Sequence, residues 1–234
     1  MLVNLRDPAQ RLRAGLLYRS AQPGRLAPGQ IGEIAAGLGL RDIIDLRTEA
    51  EARRVPWTGL PETVRVHRLA LGGEVVDPEP LRRIRTGEDL GRWYAALAVN
   101  AADGLIRIVR MVAAEGPTLV HCAAGKDRTG VAVAAVLELL GCDPEAIVED
   151  YGRTDAAMQE IVRVVAAGGD PHDHLLNRLP PVLGRAPAEA MRTCLTELAR
   201  DHGGFLGLLT DRGLTEADLD ALRRRFTTEA PLGA

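Results

Sequence analysis

Residues Pro117–Gly130 read PTLVHCAAGKDRTG, and this stretch decides the fold. Pro117 to His121 is a short apolar run with the composition of a strand. Thr129 to Leu140 is rich in Val, Ala and Leu and predicts a buried helix that stops at Gly141. Between them lies a short loop, Cys122 to Arg128. A strand handed through a tight loop to a helix is half of a parallel α/β unit. It predicts a small twisted sheet with this loop at the carboxyl end of a central strand.

Working outward, Leu16 to Gln22 (LLYRSAQ) and Asp42 to Arg47 (DIIDLR) read as strands, with a helix between them over Pro28 to Leu40. A charged helical stretch runs from Thr48 to Arg54. In Thr63 to Leu71 the alternation predicts a third strand, with Val64 and Val66 inside and Arg65 and His67 outside. Gly72 to Pro80 is a turn-rich loop. Glu88 to Ala114 predicts two helices meeting near Asn100 to Gly104. Asp143 and Pro144 suit a cap and a first helical position. The C-terminal third is helical apart from the Gly- and Pro-rich stretch Gly168 to Pro181. The expected class is α/β, one domain over residues 1–234, with a helical C-terminal third.

Composition excludes several functions. The 234 residues are 46% hydrophobic and 26% charged, enough to bury a core. A net charge of −3 favours neither a nucleic-acid partner nor stable membrane association. The opening MLVNLRDPAQ lacks the apolar core of a signal peptide, and no run reaches membrane-spanning length. Three cysteines in unrelated contexts form no disulfide framework, so a reducing cytoplasm is the expected compartment. Lys126 is the single lysine among 29 basic residues, and it lies beside Arg128.

The loop's residue types point to one chemistry. Successive backbone N–H groups of Ala123, Ala124, Gly125 and Lys126 can curl around an anion, and the following helix directs its positive end there. Gly125 permits a backbone conformation that other residues resist. Arg128 can clamp two phosphate oxygens through its planar fork. Cys122, inside that positive field, is placed to act as a thiolate nucleophile. Lys126 adds charge that would favour multiply charged substrates, and the Thr129 hydroxyl can donate to the departing sulfur. Spacing alone is weak, because Cys194 and Arg200 repeat it. They fall in the continuous helical pattern TCLTELAR, with no glycine and no preceding strand, so that pair is read as a coincidence.

HCAAGKDRTG resembles the signature of the protein-tyrosine-phosphatase superfamily. It is similar above all to bacterial tyrosine phosphatases with AGKDRTG loops that also accept phosphoserine, phosphothreonine or phosphoinositides. LLYRSAQPGRL, DIIDLRTEAE, VEDYGRTD and GGFLGLLTDRGLTEADLDALR extend the likeness over most of the chain. The usual opening has glycines where this chain has Pro8 and Ala9. The resemblance implies a phosphatase without cofactor or metal, acting on a phosphorylated protein or a phosphoinositide. It makes Cys122 the nucleophile and Arg128 the phosphate clamp, while His121 orients the loop and helps hold the thiolate. For the general acid it implies Asp127, with Asp77 and Asp89 as alternatives from an upstream loop.

Other readings stay open at this point. A rhodanese-like sulfur transferase also uses a cysteine in an anion-binding loop, and a non-catalytic phosphate-binding module is a further rival. Residues 155–186, an apolar helical stretch between glycine and proline breaks, read either as a lid or as a fixed hairpin. Arg47 and Glu51 are spaced for an ion pair on one helix, or Arg47 instead helps to shape the pocket. Asp150 and Tyr151 either touch the site from below or form ordinary helix surface. His172 and His174 flank Asp173 in what reads as a solvated loop, and Cys142 and Cys194 as packing residues.

Overall fold

The computed structural model describes residues 1–9, 12–24, 26–73, 81–167 and 180–227. Four strands, β1 (Leu17–Ser20), β2 (Asp42–Asp45), β3 (Arg65–Arg68) and β4 (Thr118–His121), form one sheet in the order β1-β4-β2-β3. Every neighbouring pair is parallel, and His121 is level with Ser20 on one side and Asp45 on the other.

Successive strand residues face opposite sides of a sheet. Ile43 and Leu119 accordingly join a cluster with Leu2, Ala35 and Leu40 on one face. Ile44, Leu46 and Val120 enter the main core on the other. With both faces covered, β2 and β4 are buried at all four positions, as a parallel sheet requires. Each fully buried isoleucine contributes roughly 1.5–3 kcal/mol.

Helix α1 (Pro28–Gly37) supplies the first face through Ile34 and Ala35. The second face carries α3 (Gly87–Asn100), α4 (Ala102–Ala113) and α5 (Asp127–Leu139), after the short α2 (Glu49–Arg54). Then follow α6 (Pro144–Gly152), α7 (Thr154–Ala167), α8 (Ala188–His202), α9 (Gly204–Thr210) and α10 (Glu216–Phe226). Residues Val131–Leu137 of α5 are all buried, so this helix is the axis around which α3, α4, α6 and α9 gather. The expected cap forms, with Asp143 accepting from Glu145 N, and Thr48 likewise caps α2 by accepting from Glu51 N.

One expectation fails. Val66 does not point inside; it is 38% exposed, because β3 is the edge strand and only Val64, before it, reaches the α1 cluster. The outward Arg65 and His67 instead hold Asp42 of β2, at 2.9 and 2.6 Å. At the N-terminus, Pro8 and Ala9 leave the turn intact: Asp7 accepts from Ala9 N and Gly15 N at 2.8 and 2.6 Å.

Candidate active site

The loop after β4 begins with Cys122, 2% exposed. Its carbonyls are taken by the scaffold. Leu46 N donates to His121 O at 2.8 Å, and Gln22 N to Ala123 O at 3.0 Å. Gly125 O accepts from Arg19 Nη2 at 2.8 Å and Asn4 Nδ2 at 3.1 Å. Among the described residues, the N–H groups of Ala123, Ala124, Gly125 and Lys126 donate to no backbone carbonyl. The orphan N–H groups of the first turn of α5, at Asp127 and Arg128, adjoin them. A ring of donors with its acceptors already satisfied suits an anion. Gly125 is required on two counts: its φ is +65°, and a Cβ would lie 2.2 Å from Ser20 O.

A buried ionic group forms the floor. Asp150 accepts from Arg6 Nε at 2.7 Å and from Arg19 Nη1, and Arg19 is 1% exposed. Burial works against ionisation of Asp150, but Arg19 and Arg6 outweigh it and hold the carboxyl below its usual range. Removing one partner of such a group costs about 3–5 kcal/mol, because a charge is left alone in the interior. Asp150 thus does touch the site from below, through Arg19 and Gly125.

Arg128 is held end-on. Its Nη1 and Nη2 donate to the two oxygens of Glu51 at 2.8 and 2.7 Å, and Nη1 also donates to Leu46 O at 3.2 Å. Of the five N–H groups of a guanidinium, those contacts leave Nε–H and the second Nη2–H, a side-on fork matched to two oxygens of a phosphate. Burial opposes the charge on Arg128. The Glu51 hydrogen bond and the negative charges of Cys122, Glu51 and Asp127 overcome it, so its pKa rises. The expected Arg47–Glu51 pair is therefore wrong. Arg47 turns back from the end of β2 onto Asp45, with Nη2 at 2.7 Å, and also donates to Gln22 and Val55 O.

His121 is fully buried, and burial pulls its pKa down to about 4, ahead of the opposing pull of Asp45. The ring is neutral at pH 7, so it holds no thiolate by charge. Trp57 Nε1 donates to Nε2 at 2.8 Å, which leaves Nδ1 to carry the proton and donate to Cys122 O at 3.0 Å. His121 orients the loop through that bond. Lys126 is also placed differently from expectation. It is 2% exposed, and its Nζ donates to Leu183 O at 2.6 Å and Arg185 O at 3.0 Å, tying the 181–186 segment to the loop. Thr129 Oγ1 is buried with no hydrogen-bond partner among the described residues, so its expected contact with sulfur is not made here.

The three candidate acids separate. Asp127 stands in the first turn of α5 with its side chain 30% exposed, and Tyr94 Oη donates to its Oδ1 at 2.6 Å. Asp89 caps α3. Hydrogen bonds from Arg85 N, Arg92 and Thr86 N hold its carboxyl down at about 2. Asp77 lies outside the described residues, as do His172, Asp173, His174 and the centre of the expected lid. The Cys194 and Arg200 pair is scattered along α8. Burial pushes the Cys194 thiol up to about 12, while Arg200 faces outward onto Glu197 and Asp201.

Reasoning from residues missed Glu51 as the partner of Arg128, Trp57 as the partner of His121, and Tyr94 altogether. Glu51 carried a signal, since it lies three positions after a capping Thr, but that spacing speaks for a helix start and not for a remote arginine. Tyr94 has the pattern of an ordinary core residue.

The sequence model described as the tyrosine phosphatase family matches residues 3–228. The chain is 29% identical over 257 residues to the triple specificity protein phosphatase PtpB of Mycobacterium tuberculosis, covering 93% of this chain and 92% of that one. It is 28% identical to a tyrosine-protein phosphatase of Nostoc commune over 94% of this chain and 78% of the relative. Crystal structures of P. aeruginosa TpbA align with TM-scores of 0.36 and 0.34 at 20% and 18% identity. The first covers 75% of this chain and 90% of that one; the second, in complex with pTyr, covers 96% and 94%. Overlap at that level adds nothing to the assignment, which the sequence match carries. With a match that runs through almost the whole chain, the protein belongs to the tyrosine phosphatase family.

Proposed function

We propose that the chain hydrolyses phosphate monoesters by two-step transfer at the CX5R loop. Cys122 Sγ attacks phosphorus, an S–P bond forms and the ester P–O bond breaks, with Asp127 giving its proton to the departing oxygen. Water then attacks the phosphocysteine, loses its proton to Asp127, and releases Cys122 as thiolate with inorganic phosphate. The N–H groups of the loop and the side-on fork of Arg128 stabilise the transferring group. The observation that carries this reading is the convergence of Cys122, the unpaired loop N–H groups and a pre-aimed Arg128 at the start of one helix. His121 supports the loop through Cys122 O.

The proposed substrates are phosphotyrosine, with phosphoserine, phosphothreonine and phosphoinositides, by likeness to the triple specificity phosphatase. The three cysteines, scattered through unrelated contexts in the sequence, suit a reducing, cytoplasmic location. Among the described residues no helix is long and apolar enough to cross a membrane. The chain acts as a single domain. Its lid would include α7, whose Met158 and Ile161 pack on Ala21 beside Ala124 of the loop. The test is a panel of phosphotyrosine, phosphoserine and phosphothreonine peptides, phosphoinositides and thiosulfate. Turnover of phosphotyrosine peptides is expected; turnover of thiosulfate alone would move the chain to sulfur transfer.

A further inference from the structure

Asp127 does not stand alone at the rim of the loop. Tyr94, fully buried on α3, places its hydroxyl 2.6 Å from Asp127 Oδ1 and 2.7 Å from the hydroxyl of Tyr151, which is 1% exposed on α6. The ring edge of one meets the face of the other, at 5.7 Å and 75° between planes. Gly130 makes room for this packing, since a Cβ there would lie 3.1 Å from the Tyr151 ring. Three helices, α3, α5 and α6, thus meet at the carboxyl group.

The direction of the bonds follows from the inventory of donors. A carboxylate only accepts, and a phenol has one proton. Tyr94 therefore donates to Asp127, and its oxygen is left to accept from Tyr151. Burial, then the nearby charge of Asp127, pushes the Tyr94 hydroxyl well above its ordinary range, so it remains a donor throughout the neutral range. Lys126 Nζ approaches the same oxygen, at 3.4 Å. With Oδ1 engaged by both groups, a proton on Asp127 belongs on Oδ2.

We propose that Tyr94, backed by Tyr151, is a positioning residue for proton transfer: it engages Asp127 Oδ1 and so directs the transferable proton to Oδ2. This rests on Asp127 being the proton donor. In the first step the Oδ2–H proton passes to the ester oxygen as the P–O bond breaks. In the second, Oδ2 takes the proton of the attacking water as the S–P bond breaks. Tyr94 keeps its own proton in both, and only the orientation of the carboxyl depends on it. Two core tyrosines that merely satisfied each other would affect stability and all substrates alike.

The experiment compares wild type, Tyr94→Phe, Tyr151→Phe, Asp127→Asn and the double variant Tyr94→Phe/Asp127→Asn on aryl phosphates whose leaving phenols span a wide range of acidity. General acid catalysis contributes about 10²–10⁴-fold, so loss of orientation by Tyr94→Phe should slow poor leaving groups about tenfold in kcat. The best leaving group and KM should stay within about twofold, since neither needs the proton in place. Tyr151→Phe should act in the same direction with a smaller effect. In the Asp127→Asn background, Tyr94→Phe should change nothing further. A uniform loss across leaving groups in Tyr94→Phe, or losses that multiply in the double variant, would overturn the inference alone. A leaving-group dependence that Asp127→Asn does not steepen overturns the acid assignment and this inference with it. Should Tyr94→Phe fail to fold by thermal unfolding, Tyr151→Phe carries the same comparison with the Tyr94 oxygen still in place.

Discussion

Two stretches of this chain place an arginine six residues after a cysteine, and they share nothing else. Cys122 and Arg128 lie at the two ends of the turn from β4 into α5, close enough for the charge of Cys122 to act on Arg128. Cys194 and Arg200 lie on α8, where six residues advance the chain about 9 Å along a helix axis. One thiol sits among backbone donors beside a cation; the other is in apolar packing with its thiol pushed up to about 12 by burial. One arginine is oriented by Glu51 at 17% exposure on each side, the other pairs with Glu197 and Asp201 in solvent. The surroundings of each pair come from the backbone between the two residues, not from their separation.

The largest effect that can break this comparison is on turnover. Cys122→Ser should reduce phosphatase activity at least about a thousandfold, because the nucleophile is lost. Cys194→Ser should keep the rate and lose about 1–3 kcal/mol of stability, from a hydroxyl placed in apolar surroundings. Paired assays and urea denaturation of the two variants measure both. Residual activity in Cys122→Ser equal to that of Cys194→Ser would erase the distinction.

A second difference is that the reactive loop rests on a titratable ring. His121 is neutral and buried with a pKa of about 4, against 6.5 when free. Between those values the unfolded chain binds a proton that the folded one does not, so stability falls as pH drops through this window. The full difference amounts to about 3 kcal/mol. Denaturation midpoints from pH 7 down to about 5, where carboxylates still carry their charge, should show most of this slope, and His121→Asn should flatten it. Trp57, bonded to the ring, gives a local fluorescence signal for the same event.

The smallest of the three effects compares the two arginine partners. Glu51→Gln leaves Arg128 without its charged mate in a half-buried site, and should cost about 1–3 kcal/mol and roughly tenfold in kcat/KM. Glu197→Gln at the solvent-exposed pair should stay within about 0.5 kcal/mol of wild type, with full activity. Equal consequences at the two sites would mean that Glu51 does not orient the clamp.

Much of the fold was legible because its signals are local. The apolar run before His121, the turn at Gly125 and the buried periodicity after Thr129 each lie within one element, and they place β4, the loop and α5 within two residues of where they stand. β3 misled because period-two alternation assumes one covered face, whereas an edge strand is exposed at Val66 as well as at Arg65. Lys126 carries a contact that its charge does not announce: two carbonyls, of Leu183 and Arg185, accept from its ammonium.

By itself the sequence determined the α/β class and the strand-loop-helix unit, and it singled out Cys122 and Arg128 as the proposed nucleophile and clamp, since backbone periodicity, glycine freedom and residue chemistry act over a few neighbouring positions. Only the tertiary structure decided the partners. Glu51 reaches Arg128 across 77 residues, Tyr94 reaches Asp127 across 33, and Arg19 reaches Gly125 across 106. Which charged or polar side chains meet depends on how distant helices and strands present their faces once the core has closed. No pattern within a single element records that.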